Sequence, residues 1–124
     1  MTKPRSLFIA FSGDESTLVA TIARVVGISL ERADLETGTV YRGRGLETEL
    51  VLLTEHGLED DSGIEFSQYL YQLDLIPLEM GARAASYAEA YESMTTFIAE
   101  LLALELDART LVVGNLQHVV VAFP

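Results

Sequence analysis

No cysteine occurs in the 124 residues, which removes disulfide frameworks, thiolate nucleophiles, thiolate zinc sites and iron–sulfur clusters in one step. Cationic side chains are scarce. Eight Lys and Arg stand against nineteen Asp and Glu, for a formal net charge of −11 and a sequence pI near 4.4. Such a chain repels nucleic acid, whose binding needs a cationic footprint that releases counterions, and disfavours anionic membrane surfaces for the same reason. No apolar run approaches the roughly 20 residues that span a bilayer. The run at 7–11 follows Lys3 and Arg5 but stops after five residues at Ser12-Gly13-Asp14, too short for the apolar centre of a secretory signal. These absences lead to the expectation of a soluble cytoplasmic protein, with no nucleic-acid or membrane partner and no motif that calls for a cofactor or a metal.

What is present is an apolar fraction of 49%, ordinary for a globular chain, at a length suited to one domain covering residues 1–124. Residues 7–11 read as a buried strand. Ser12, Asp14 and Ser16 offer helix N-caps and Gly27 a stop. Between them Leu18, Val19, Ile22, Val25 and Val26 form one helical stripe. Residues 29–38 are polar and acidic and read as a loop. Residues 39–42 and 47–54 read as the strands of a hairpin turning through Gly43-Arg44-Gly45. Residues 64–73 read as a strand whose alternation changes parity near Ser67-Gln68, implying a bulge or bend there, and Pro77 closes that region.

Ser86 and Glu89 form a capping-box pattern. The helix beginning there carries Tyr87, Ala90, Tyr91, Met94, Phe97, Ile98, Leu101 and Leu102 at helical spacing, which predicts one apolar face. Residues 110–113 and 119–123 are β-branched and apolar, joined through Gly114-Asn115 as one bulged strand or a hairpin. The fold class expected is α+β in the order β-α-β-β-β-α-β: a mostly antiparallel sheet with two helices packed on one face, a ferredoxin-like variant of the split β-α-β pattern.

Chemistry-bearing residues are few. His56 and His118 belong to no spaced ligand motif, and each reads as an exposed or hydrogen-bonded histidine before a general base. Glu59, Asp60, Asp61 and Glu65 surround Gly63 but lack the alternating spacing of a calcium loop, so a solvated acidic loop is the favoured reading. Arg42 and Arg44, two apart in Tyr41-Arg42-Gly43-Arg44-Gly45, would share a strand face. They could grip an anion, although pairing with local acids is the nearer reading. Tyr87 and Tyr91, four apart on the predicted apolar helix face, are read as core before ligand stacking.

The start Leu7-Phe8-Ile9-Ala10-Phe11-Ser12, a short helix ending Val25-Val26-Gly27-Ile28, an acidic connection and then Tyr41-Arg42-Gly43 together resemble small immunity proteins of bacterial contact-dependent inhibition and other polymorphic toxin systems. The resemblance implies a non-enzymatic cytoplasmic protein that binds a cognate toxin domain and blocks its active site or an essential surface. Independently, an acidic folded partner can occupy the cationic cleft of a basic nuclease by placing carboxylates where phosphates would bind. The charges assigned to such an interface are Asp14 and Glu15 at the first helix and Glu55, Glu59, Asp60, Asp61 and Glu65 around the central turn. The anchors are Tyr41, Arg42 and Tyr69. Two alternatives stay open. One is a small-molecule-binding regulatory domain with a pocket near residues 43–45 and Asn115, and the other is an enzyme using His56 or His118 with an acidic partner.

Overall fold

The computed structural model describes residues 4–45, 47–78 and 84–124, the side chains of 84–86 excepted. The strands are β1 (Arg5–Ile9), β2 (Glu31–Leu35), β3 (Gly38–Gly45), β4 (Thr48–Leu53), β5 (Tyr71–Pro77), β6 (Thr110–Gly114) and β7 (His118–Phe123). Helix α1 is Glu15–Val26, helix α2 is Ala84–Leu106, and a 3-10 turn covers Phe66–Gln68. All seven strands form one antiparallel sheet in the order β2-β3-β4-β5-β1-β6-β7. Its middle, β6-β1-β5-β4, is two interlocked split β-α-β units, the ferredoxin-like core. Strands β2 and β3 extend one edge and β7 the other.

Strand β1 lies between β5 and β6 with Leu7, Phe8 and Ile9 all fully buried, so its sequence is a continuous apolar run rather than an alternation. Leu7 and Ile9 join Leu50, Leu52, Leu73, Leu75 and Val112 beneath Leu18 and Ile22 of α1 and Tyr91, Ile98 and Leu102 of α2. Both helices therefore cover one face. On the other face Phe8, Leu111 and Val113 pack with Ile64, Phe66 and Tyr69 as a second, smaller cluster. Helix α1 starts at Asp14, whose backbone is extended, and ends at Gly27 in the left-handed region with its N–H on the Ala23 carbonyl at 2.8 Å, the conformation that favours glycine.

Several expectations are corrected. Residues 29–38 are not a loop throughout, since β2 pairs there with β3. It is an edge strand exposed at four of its five residues, held by ladder hydrogen bonds, and its hydropathy carries no periodic trace. Gly43 and Gly45 belong to β3 instead of a turn. A Cβ at Gly43 would stand 2.5 Å from the Ser29 carbonyl oxygen, and one at Gly45 would meet Ile28 at 2.7 Å, so glycine lets the α1–β2 connection lie directly on the strand. The strand expected over 64–73 begins at Tyr71, and the parity change near Ser67-Gln68 is the 3-10 turn. The terminal segment is a hairpin with a bulge at Val112/Val113.

Helix α2 runs from Ala84, ahead of the capping box, and the Ser86 side chain lies outside the described residues. Its buried face is Tyr91, Thr95, Ile98, Ala99, Leu102 and Leu106, while Phe97 is 60% exposed. The helix carries apolar residues on two faces, and spacing alone does not say which one turns inward.

Candidate partner-binding surface

After β4 the chain crosses the uncovered face of the sheet over 54–70 and is pinned to it by side chains. Ile64, Phe66 and Tyr69 are buried, with the Phe66 ring 4.8 Å from that of Phe8. His56 stands edge-on to Phe8 at 5.5 Å. Its Nδ1 accepts the Leu58 N–H at 2.9 Å, which leaves the proton on Nε2 to donate to the Tyr69 carbonyl at 2.6 Å. The imidazole is thus a brace with both nitrogens engaged. Replacing His56 with alanine is expected to cost roughly 1–2 kcal/mol by unpairing a part-buried donor and acceptor. His56→Asn should recover the Leu58 bond through its side-chain carbonyl as an Asx turn. Hydrogen exchange at the Leu58 amide checks this: fast in the alanine variant, slow in the asparagine one.

The turn itself is closed by reciprocal backbone bonds between Asp61 and Ile64 at 3.1 and 2.8 Å, with Ser62 and Gly63 both at positive φ, the geometry of a two-residue hairpin turn. Asp60 Oδ1 accepts the Ser67 N–H at 2.9 Å, and that bond holds its carboxyl below the usual carboxylate range. Asp61 Oδ1 accepts the Ser62 N–H at 2.8 Å. Glu55, Glu59, Asp60, Asp61 and Glu65 are all exposed, so five carboxylates ride on a backbone fixed by a core of its own. From Gly45 to Ala82 the sequence holds no Lys or Arg.

Residues 57–61 and Phe66 line a cleft of about 480 Å³ closed on the far side by Leu116 of the β6–β7 turn. Glu59, Asp60 and Asp61 supply its acidic wall. Leu58 and the 42%-exposed Leu116 supply apolar surface, and the buried Phe66 lies behind them. That combination suits a long cationic side chain, whose methylenes lie on apolar surface while its head meets carboxylates.

The other interface residues read from the sequence lie elsewhere. Asp14 is exposed at the start of α1. Glu15 accepts a hydrogen bond from the Tyr41 hydroxyl at 2.7 Å, which pushes the Tyr41 phenol up. These two and Tyr41 stand on the helix-covered side. Arg42 points from the uncovered face of β3, three strands or roughly 14 Å from β1. It has no ion-pair partner among the described residues, whereas Arg44 pairs with Glu49 at 3.0 Å. Tyr69 is buried at 9% exposure with the Arg109 guanidinium 5.4 Å from its ring centre, so it anchors the segment internally. The acidic turn and Tyr69 come together; Asp14, Glu15, Tyr41 and Arg42 do not join them. Sequence reading passed over Leu58, Phe66 and Leu116, whose apolar character gave no hint that they border the acids.

The pocket envisaged near residues 43–45 and Asn115 is not one place, since β4, β5 and β1 separate β3 from β6. The shallow hollow beside Gly43, about 330 Å³, is lined by Ser29, Glu31, Arg42, Arg44 and Glu49. His118 is exposed, its ring stacked above Gly114. Tyr91 is 1% exposed in the main core, its ring 6.1 Å from that of Tyr87. Among the described residues no three His, Asp or Glu are grouped to hold a metal ion, and no helix is long and apolar enough to cross a membrane. Compared with known proteins, the chain matches no family model, no curated protein and no solved structure.

Proposed function

We propose that this chain is an immunity protein, a stoichiometric inhibitor that binds a cationic toxin domain in the cytoplasm and occludes its active site or an essential surface. The observation that carries the reading is the cleft walled by Glu59, Asp60 and Asp61 and lined by Leu58, Phe66 and Leu116. A Lys or Arg of the partner inserted there gains both charge and apolar contact. The segment is ordered before binding, so little conformational entropy is lost on association. The surrounding negative field speeds encounter, and the seated side chain slows dissociation. Of the six described arginines, four are ion-paired internally and Arg109 lies over Tyr69, which leaves the acidic turn largely uncompensated. The resemblance over residues 7–43 supplies the partner class, and a basic nuclease is the toxin whose substrate cleft such a surface would fit.

The test is isolation of the tagged chain from its native cells. A one-to-one complex with a basic polypeptide is expected. Reversing Glu55, Glu59 and Glu65 to lysine leaves the bracing Asp60 intact and should slow association about 10–100-fold at low salt, with the difference shrinking as salt is raised. Recovery of the chain with a metabolite and without any polypeptide, or an association rate untouched by the three reversals, would overturn the proposal.

A further inference from the structure

Helix α2 contains no Lys or Arg along its 23 residues, and its outer face carries large apolar side chains among exposed glutamates. Phe97 is 60% and Leu104 72% exposed. With the exposed Ala90 and the half-buried Leu101 they follow one another at spacings of seven, four and three, a single stripe on the solvent side of the helix. Large apolar side chains exposed in line on one helix face and bordered by acids form a surface that a partner can cover. Phe97 and Val120 of β7 line a groove of about 410 Å³ between the helix and the edge strand together with Arg5, whose guanidinium pairs with Glu92 at 3.1 Å, and with Glu100, which has no ion-pair partner among the described residues. Glu89, Glu100 and Asp107 flank the stripe and are exposed without an ion-pair partner among the described residues.

We propose that the outer face of α2 docks an amphipathic helix whose apolar stripe is bordered by Lys or Arg. Charge selects this occupant. A second copy of the chain would set one rim of carboxylates against another, with no basic residue on α2 and with the two neighbouring arginines, Arg5 and Arg24, already paired to Glu92 and Glu105, a juxtaposition that opposes association. An anionic lipid surface is repelled in the same way. A cationic helix places its leucine-like residues on Phe97 and Leu104 and its cations on Glu89, Glu100 and Asp107, the helix-in-groove mode of recognition. This surface lies on the opposite face of the sheet from the acidic cleft and does not depend on it.

The experiment titrates the full chain with a Leu/Lys peptide of about 18 residues, ~27 Å long as a helix, patterned with one apolar stripe. A scrambled isomer of the same composition is the control. Saturable binding is expected, with amide shift changes clustered at residues 90–104 and 118–121. A Phe97→Ser, Leu104→Ser double variant should retain the parent Tm within a few degrees, because both side chains are exposed, and weaken binding about tenfold or more. Salt should weaken binding to the parent chain. Shift changes confined to 55–65, equal binding of the scrambled isomer, or unchanged affinity in the double variant would overturn the proposal. So would sedimentation showing that the parent chain self-associates and the double variant does not, since the occupant would then be a second copy.

Discussion

Truncating Phe66 to alanine is expected to free the segment 54–70 from the sheet while the sheet itself stays folded. Phe66 is 3% exposed and packs on Phe8 within a cluster that no helix residue joins. Removing a buried phenyl costs about 3–5 kcal/mol, and here the loss falls on a segment whose other anchors are Ile64, Tyr69 and the His56 brace. Local opening is cheaper than global unfolding. Amides whose bonds close the segment, at Ile64, Gln68 and Tyr69, should exchange on the order of 100-fold faster or more, while those of β1 and β5 hold. Release of the segment uncovers Phe8, Leu111 and Val113, so binding of a hydrophobic dye should rise. Under the proposed function the same variant associates more slowly with its partner although every carboxylate is still present. Uniform acceleration of exchange across the whole sheet would show instead that the two clusters melt as one unit.

The second large effect is expected at Tyr91. Its hydroxyl donates to the Leu75 carbonyl and accepts the Arg5 N–H at 2.8 Å. Arg5 and Leu75 are partners at the end of the β1–β5 register, so a side chain from α2 supplies a rung between two central strands. Tyr91→Phe keeps the ring and strands one buried donor and one acceptor, a cost of roughly 2–4 kcal/mol and a fall in Tm of about 10 °C. Burial, ahead of every other cause, pushes the Tyr91 phenol up to about 12, while the hydrogen bond from Arg5 acts against it. Because the folded value is raised above the ordinary tyrosine value near 10, the neutral phenol's contribution is fully present below pH ~10. It is lost as pH rises through about 12. The parent chain should therefore lose on the order of 2–3 kcal/mol across that window beyond what Tyr91→Phe loses. The gap between their unfolding curves should close at the alkaline end. Parallel stability profiles from pH 9 to 12 would rule this linkage out.

Where an element's own burial wrote its pattern, the sequence was readable. Strand β1 is buried on both faces and appears as unbroken apolar residues. The first helix carries its stripe at Leu18 and Ile22 and its stop at Gly27. The α+β class, the antiparallel sheet and the placement of both helices on one face follow from such local signals. Strand β2 left no pattern because an edge strand exposed on both sides needs only hydrogen bonds from its neighbour, and backbone groups are the same in every residue. Of the candidate surface, the acids between Glu55 and Glu65 were evident from composition alone. Their attachment to the sheet was not, because Phe66 meets Phe8 across more than fifty residues of chain.

The sequence by itself determined the anionic charge, the absence of thiol chemistry, the class of fold and the acidic stretch around Gly63, because each is a sum or a short-range pattern. Only the tertiary structure decided that Tyr69 is an internal anchor and Asp14, Glu15 and Tyr41 stand behind the sheet. It also turned Phe97 and Leu104 outward on a helix that carries apolar residues on two faces. Those outcomes depend on which surfaces meet when the strands take their order, and contact between distant segments has no period along the chain.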